Sequence, residues 1–214
     1  MSCQLYLTDI RQLEVCFDAS CALLPVERQA RIRRCSRETA QLQLLSAGLL
    51  LRHVLGITEE TPLLYTPQGK PYLKHGPCFN LSHSGQFAAL AVSDHPIGLD
   101  LQDMTQKITP QRLANRWFTP EEAAWINEQS DRFFHVWTRK ESVVKALGLG
   151  LAALPMQTFS VLEPSITIHG TTLHLVTEKL DGMMLSVAAQ SPLTPPLSLT
   201  FLSAEQILKG MDQP

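Results

Sequence analysis

The chain has 214 residues, 44% of them hydrophobic and 18% charged, and carries a net charge of −2 at pH 7. That balance describes a folded chain long enough to bury a full core, neither disordered nor fibrous, and it argues against a nucleic-acid partner, whose footprint is broadly basic. No apolar run reaches the length of a membrane span and the opening MSCQLYLTDIRQ lacks a leader pattern, so neither a membrane segment nor a signal peptide is expected.

Five cysteines (Cys3, Cys16, Cys21, Cys35, Cys78) show no CxxC or zinc-finger spacing. They read as reduced thiols of a cytoplasmic protein rather than as a disulfide frame or a metal site.

In chain order, QLYLTDI predicts a first strand. VERQARIRRCSR then gathers Arg28, Arg31, Arg33, Arg34 and Arg37, which in a slightly acidic protein form either a local anion site or docking face, or a set of solvated surface arginines. RETAQLQLLSAGLLLRHVLG contains no proline, is rich in strong helix formers and ends at Gly56, a glycine suited to terminate a helix. TPQGKPYL is a turn-rich connection. CFNLSHSGQFAALAVSDHPIGLDLQ contains two strands, FAALAVS and PIGLDLQ, read as a hairpin around Asp94 and His95. Alternation in the second strand puts Ile97, Leu99 and Leu101 on one face and Gly98, Asp100 and Gln102 on the other.

The second half opens with two proline-primed helices, TPQRLANRWF and TPEEAAWI. The latter carries a capping box of Thr119 and Glu122. A helix from about Asp131 to Gly148 holds VWTRKESVVKALG. Short strands follow at TFSVL, SITIHG, TLHLVTE, MMLSVAA and LSLTFL, with a short terminal helix. The fold class is α+β, with a boundary at residues 102–108 that divides the chain into 1–104 and 105–214.

The chemistry-bearing residues fall into a few groups. Ser82 and His83 are adjacent, so their side chains diverge and do not make a nucleophile–base pair, and no GxSxG elbow is present. They offer hydroxyl, imidazole and backbone donors to an anion, or they cap local turns. Asp100 lies on a strand apolar enough to be buried, where a carboxylate needs a partner or a metal. Glu141 is its counterpart in the second half, and two such carboxylates suit Mg²⁺, which takes oxygen ligands. Taken alone, Glu141 and Lys145 are an i,i+4 pair contributing roughly 0.2–0.5 kcal/mol. Together with the arginines, Lys70, the Ser82–His83 donor pair and Asp100, they make up what a Mg²⁺-dependent enzyme handling a pyrophosphate requires. Neither a P-loop nor GxGxxG occurs.

The order GKPYL, FNLSHSG, IGLDLQ and WTRKESVVKALGLGL resembles the Sfp-type 4′-phosphopantetheinyl transferases over about Arg28 to Leu151. The resemblance implies two similar α+β halves in one chain, with the active site in the cleft between them. It implies transfer of the 4′-phosphopantetheine arm of coenzyme A to a serine of an apo acyl or peptidyl carrier protein, leaving adenosine 3′,5′-bisphosphate. The implied metal is Mg²⁺, with Mn²⁺ as the alternative, and the implied state is a monomer. Asp100 and Glu141 become metal ligands, and Glu141, directly or through water, the base for the carrier serine. Lys145 serves the pyrophosphate and the departing phosphate, with Lys140 as a neighbouring contact. Ser82 and His83 bind phosphates, His83 near the 3′-phosphate. Lys70 matches the lysine of the GKP turn, and Arg28 and Arg31 meet the 3′-phosphate. Many members have an acid where this chain has Gln102, whose amide oxygen either ligates the metal or leaves that place to water. Two other readings are a non-catalytic binder of coenzyme A or carrier protein, and a Mg²⁺-dependent hydrolase of pyrophosphates or coenzyme A.

Overall fold

The computed structural model describes residues 3–150 and 152–209; Leu151, where the resemblance ends, lies outside them. Strand β1 (Gln4–Asp9) leads through two short helices, α1 (Phe17–Ala22) and α2 (Val26–Arg33), to the 18-residue helix α3 (Glu38–Leu55). Gly56 ends α3 with φ 64°, a left-handed conformation that costs glycine little, and its N–H returns to the Arg52 carbonyl. After a two-stranded ribbon, β2 (Leu64–Tyr65) and β3 (Pro71–Tyr72), come β4 (Cys78–Ser84), β5 (Phe87–Ser93) and β6 (Ile97–Asp103).

Helices α4 (Pro110–Trp117) and α5 (Pro120–Ile126) precede the second 18-residue helix, α6 (Ser130–Leu147). The capping box of α5 forms as predicted: Thr119 accepts from the Glu122 N–H, and Glu122 accepts from the Thr119 N–H. Thr109 at the start of α4 makes no such side-chain bond. Strands β7 (Ser165–Ile168), β8 (Thr171–Leu180), β9 (Met183–Ala189) and β10 (Leu199–Phe201) follow, then α7 (Ala204–Lys209).

Two four-stranded sheets result, ordered β10-β1-β5-β4 and β6-β9-β8-β7. Helix α3 covers the first, burying Leu45 and Leu49 with Leu90 and Val92. Helix α6 covers the second, burying Val136 and Val143 with Leu173 and Ala188. The inner faces of the sheets pack on each other through Leu7, Ala89 and Ala91 from one and Leu99, Leu101 and Val187 from the other. The layers therefore run helix, sheet, sheet, helix, an α+β architecture of two halves that each lay one long helix on four strands.

Three expectations are corrected. FAALAVS and PIGLDLQ do not form a hairpin: both edges of β5 are already occupied by β1 and β4, so β6 passes to the second sheet and pairs with β9. The division at 104/105 is consequently not the division of the sheets. Residues 97–103 belong with the second half, while β10 returns to pair in parallel with β1. TFSVL is not a strand. Carbonyls of this segment are taken by side chains of α6: Arg139 donates to Val161 and Leu162, and Lys140 to Phe159. Among the described residues no helix is long and apolar enough to cross a membrane. The five cysteines are unpaired thiols.

Candidate active site

The two halves are joined edge to edge by side chains of β4. Asn80, Ser82 and Ser84 alternate on one face of the strand, and their oxygens accept from the N–H groups of Leu99, Leu101 and Asp103 on β6 at 2.9, 3.1 and 2.9 Å. These three side chains thus satisfy backbone donors that would otherwise need another strand. The N-x-S-x-S pattern inside NLSHS is this zipper.

The alternation predicted for β6 holds. Leu99 and Leu101 face the inter-sheet core, and Asp100 faces α6, 3% exposed. Ser82 Oγ donates to Asp100 Oδ1 at 3.1 Å. Lys145 Nζ reaches the same oxygen at 2.6 Å, the Leu99 carbonyl at 3.1 Å and Ser82 Oγ at 3.3 Å, which uses all three ammonium protons. The i,i+4 pair with Glu141 is not formed; the partner of Lys145 is across the cleft. Helix α6 can approach this closely because position 98 is glycine: a Cβ there would overlap the Ser142 carbonyl and the Ala146 nitrogen.

Glu141 is half-buried and faces the same cavity. Burial pushes its carboxyl above the usual range and the Asp100 charge adds to the rise, while Lys145 opposes it. Among the described residues it has no salt-bridge partner, so the two carboxylates carry more negative charge than Lys145 neutralises. No group of three His, Cys, Asp or Glu side chains gathers among the described residues. The donor set is therefore open, two carboxylates with room beside them. That arrangement fits a hard divalent cation which keeps waters and takes phosphate oxygens.

The cavity measures about 430 Å³ and is walled from both halves. From α2 it receives Arg28 and Arg31, and from β4 it receives Ser82 and His83. Arg28 is held below its usual pKa by burial, and its Nε has no hydrogen-bond partner. The His83 imidazole is also lowered, first by partial desolvation against the cleft wall and then by the Lys145 charge.

Residues 96–181 match the sequence model of the 4′-phosphopantetheinyl transferase superfamily, a stretch that holds Asp100, Glu141 and Lys145. The chain is 30% identical over 202 residues to the 4′-phosphopantetheinyl transferase Sfp of Bacillus subtilis strain 168, covering 85% of this chain and 88% of that protein. The chain belongs to this family. It is also 32% identical over 158 residues to the transferase AcpT of Escherichia coli K12, covering 70% of this chain and 76% of the relative. Against the transferase gsp of Aneurinibacillus migulanus it is 32% identical over 142 residues, covering 62% of this chain and 59% of that protein's length.

Set against the residues predicted for this family, the structure brings Arg28, Arg31, Ser82, His83, Asp100, Gln102, Glu141 and Lys145 to one cavity. Four predicted residues are held by contacts within the chain. Lys140 does not reach the cavity. It is fully buried in the second half, 2.9 Å from Glu122, because its position on α6 is turned about 100° away from that of Glu141. Lys70 is not free for a ligand: its ammonium donates to the carbonyls of Lys145 (2.5 Å), Ile97 (3.3 Å) and Ala146 (3.4 Å), capping the end of α6. Ser82 spends its hydroxyl on Asp100 and β6 rather than offering it to an anion. Gln102 donates from its amide nitrogen to Asp100 Oδ2 (3.4 Å) and accepts from Ser84 Oγ (3.4 Å).

Sequence reasoning missed the zipper and the second role of Glu122. The alternation of Asn80, Ser82 and Ser84 is a period-2 signal that marks them as one face of a strand. Glu122 announces only its local cap, while its other oxygen accepts from the Val161 N–H at 2.9 Å and the group pairs with Lys140.

Proposed function

We propose that the chain moves the 4′-phosphopantetheine arm of coenzyme A to a serine of an apo acyl or peptidyl carrier protein. It releases adenosine 3′,5′-bisphosphate, depends on Mg²⁺ and acts as a cytoplasmic monomer. The observation that carries this reading is one cavity walled by two guanidinium groups without carboxylate partners among the described residues, an imidazole, and an ammonium beside two carboxylates.

Arg28 and Arg31 bind the 3′-phosphate of coenzyme A, leaving the pyrophosphate to Asp100, Glu141 and Lys145. The carrier serine oxygen forms a bond to the β-phosphorus, and the bond from that phosphorus to the bridging oxygen breaks. The bridging oxygen leaves with the α-phosphate as adenosine 3′,5′-bisphosphate. Glu141 takes the hydroxyl proton, directly or through water. Lys145 neutralises charge on the departing phosphate, and His83 donates a hydrogen bond to a phosphate oxygen. Mg²⁺, or Mn²⁺ in its place, held by Asp100 and Glu141, supplies further positive charge at the pyrophosphate when bound. Orienting the two reactants in one cleft supplies much of the remaining acceleration.

The test is to incubate the protein with coenzyme A, Mg²⁺ and an apo carrier protein and to quantify adenosine 3′,5′-bisphosphate. Release that requires the carrier supports the proposal. Release without the carrier makes the protein a hydrolase, and coenzyme A binding without release makes it a binding module.

A further inference from the structure

Helix α3 runs through QLQLLSAGLLLRHVL, and Gly48 sits buried at its middle. A mid-helix glycine costs about 1 kcal/mol against alanine, so a segment otherwise made of strong helix formers needs a reason to keep one. The reason visible in the packing is Arg28 of α2. A Cβ on Gly48 would stand 2.7 Å from Arg28 Nε, 3.0 Å from Arg28 Cδ and 2.7 Å from Leu24 Cδ1. The arginine stem therefore lies flat on bare helix backbone. Its Nε is buried there without a hydrogen-bond partner, and no carboxylate is paired with it among the described residues.

Arg28 also occupies a particular place in the cleft. It walls the main cavity together with Tyr65, and both residues also wall a second cavity of about 80 Å³ that Asp100, Glu141 and Lys145 do not reach. Its guanidinium thus stands at the end of the cleft remote from the carboxylates, where a phosphate not taking part in the reaction would lie.

We propose that Gly48 is a positioning residue, the seat that sets the depth of the Arg28 guanidinium and so the preference for substrates bearing that remote phosphate. This rests on reading Arg28 as a ligand of the coenzyme A 3′-phosphate. A methyl group at position 48 lifts Nε and Cδ off the helix and moves the guanidinium by a fraction of a bond length or more. A charge-assisted hydrogen bond is sensitive to such a shift.

The experiment is calorimetric titration with coenzyme A and with 3′-dephospho-coenzyme A, with Tm measured alongside. It compares the wild type, Gly48→Ala, Arg28→Ala and the double variant. Gly48→Ala is expected to weaken coenzyme A about tenfold, the order of one hydrogen bond to a charged group. It leaves 3′-dephospho-coenzyme A unchanged and Tm unchanged or raised. In the Arg28→Ala background the Gly48→Ala effect disappears, since the residues act through one contact. In turnover assays KM for coenzyme A rises while kcat holds. Adding Leu24→Ala to Gly48→Ala relieves the Leu24 contact without touching Arg28, and the selective loss persists.

Equal weakening toward both ligands, or additive effects with Arg28→Ala, would make Gly48 a packing residue and overturn the proposal. If the wild type binds coenzyme A and Gly48→Ala binds it equally well, the seat alone is refuted. A wild type that does not bind coenzyme A refutes the proposed function and the seat with it.

Discussion

Lys145 Nζ stands 2.6 Å from Asp100 Oδ1, an ion pair that ties helix α6 to strand β6 across 45 positions of sequence. Asp100 is nearly fully buried while Lys145 is about a quarter exposed, at 28%. Lys145→Ala therefore leaves a buried carboxylate with only Ser82 and Gln102 as hydrogen-bond partners among the described residues. We expect a loss of about 1–3 kcal/mol in chemical denaturation. Turnover should fall roughly 100-fold or more, as when a donor to developing charge is removed, while coenzyme A affinity changes little. A variant that lost stability but kept its rate would reduce Lys145 to a strut.

Glu141 has a carboxyl whose pKa is raised in the folded state by burial and by Asp100. The folded protein then holds this proton more tightly than the unfolded chain, so stability falls as pH rises through the raised value. The contribution is intact below the unfolded carboxylate pKa and lost above the folded one. Glu141→Gln removes the repulsion with Asp100, so the variant should be more stable than wild type at pH 7, and the gap should close as pH falls through the carboxylate range. Mg²⁺ should raise the Tm of the wild type and not that of Glu141→Gln, because a ligand stabilises only the state that binds it. Denaturation curves at pH 4 and 7, with and without Mg²⁺, check both signs.

Lys140 and Glu122 form an ion pair in which both side chains are fully buried. The Lys140 ammonium also donates to the Met156 carbonyl at 2.7 Å, and its charge lies 4.2 Å from the Phe159 ring centre. Lys140→Met strands the Glu122 charge, and a cost of about 3–5 kcal/mol follows from breaking one side of such a pair. Adding Glu122→Gln should recover part of it in urea denaturation. Failure of the single variant to destabilise would show that the carboxylate finds another partner.

Gly98 is the point where α6 crosses β6. Backbone atoms, not flexible side-chain ends, would meet an added methyl, so Gly98→Ala must push the helix off the strand. The expected cost is at least the ~1–3 kcal/mol of an overpacked core. Because Lys145 and Glu141 ride on that helix, activity should fall together with Tm. A crystal structure of the variant with α6 unmoved would contradict this.

The long helices were legible because both end at glycines in the left-handed conformation, Gly56 and Gly148, and carry apolar faces. The two faces of β6 were legible from period 2, which put Asp100 on the face opposite Leu99 and Leu101. What sequence could not convey was partnership at distance. Nothing local says that β5 has no free edge, so the β5–β6 hairpin looked sound. Nothing in KES separates Lys140, turned into the core, from Glu141, turned into the cleft, except the helical angle between them. Gln102 and Lys70 were read from the resemblance to the family, which does not convey their hydrogen bonds to Asp100 and to the end of α6.

The most direct measurement is the intact mass of an apo carrier protein after incubation with this protein, coenzyme A and Mg²⁺. It should be run with carriers of the fatty-acid, polyketide and nonribosomal-peptide types. At least one carrier is expected to gain the mass of a single 4′-phosphopantetheine arm with the wild type and to gain none with Asp100→Ala or without Mg²⁺. No gain with any carrier type, or an equal gain with Asp100→Ala, would contradict the account.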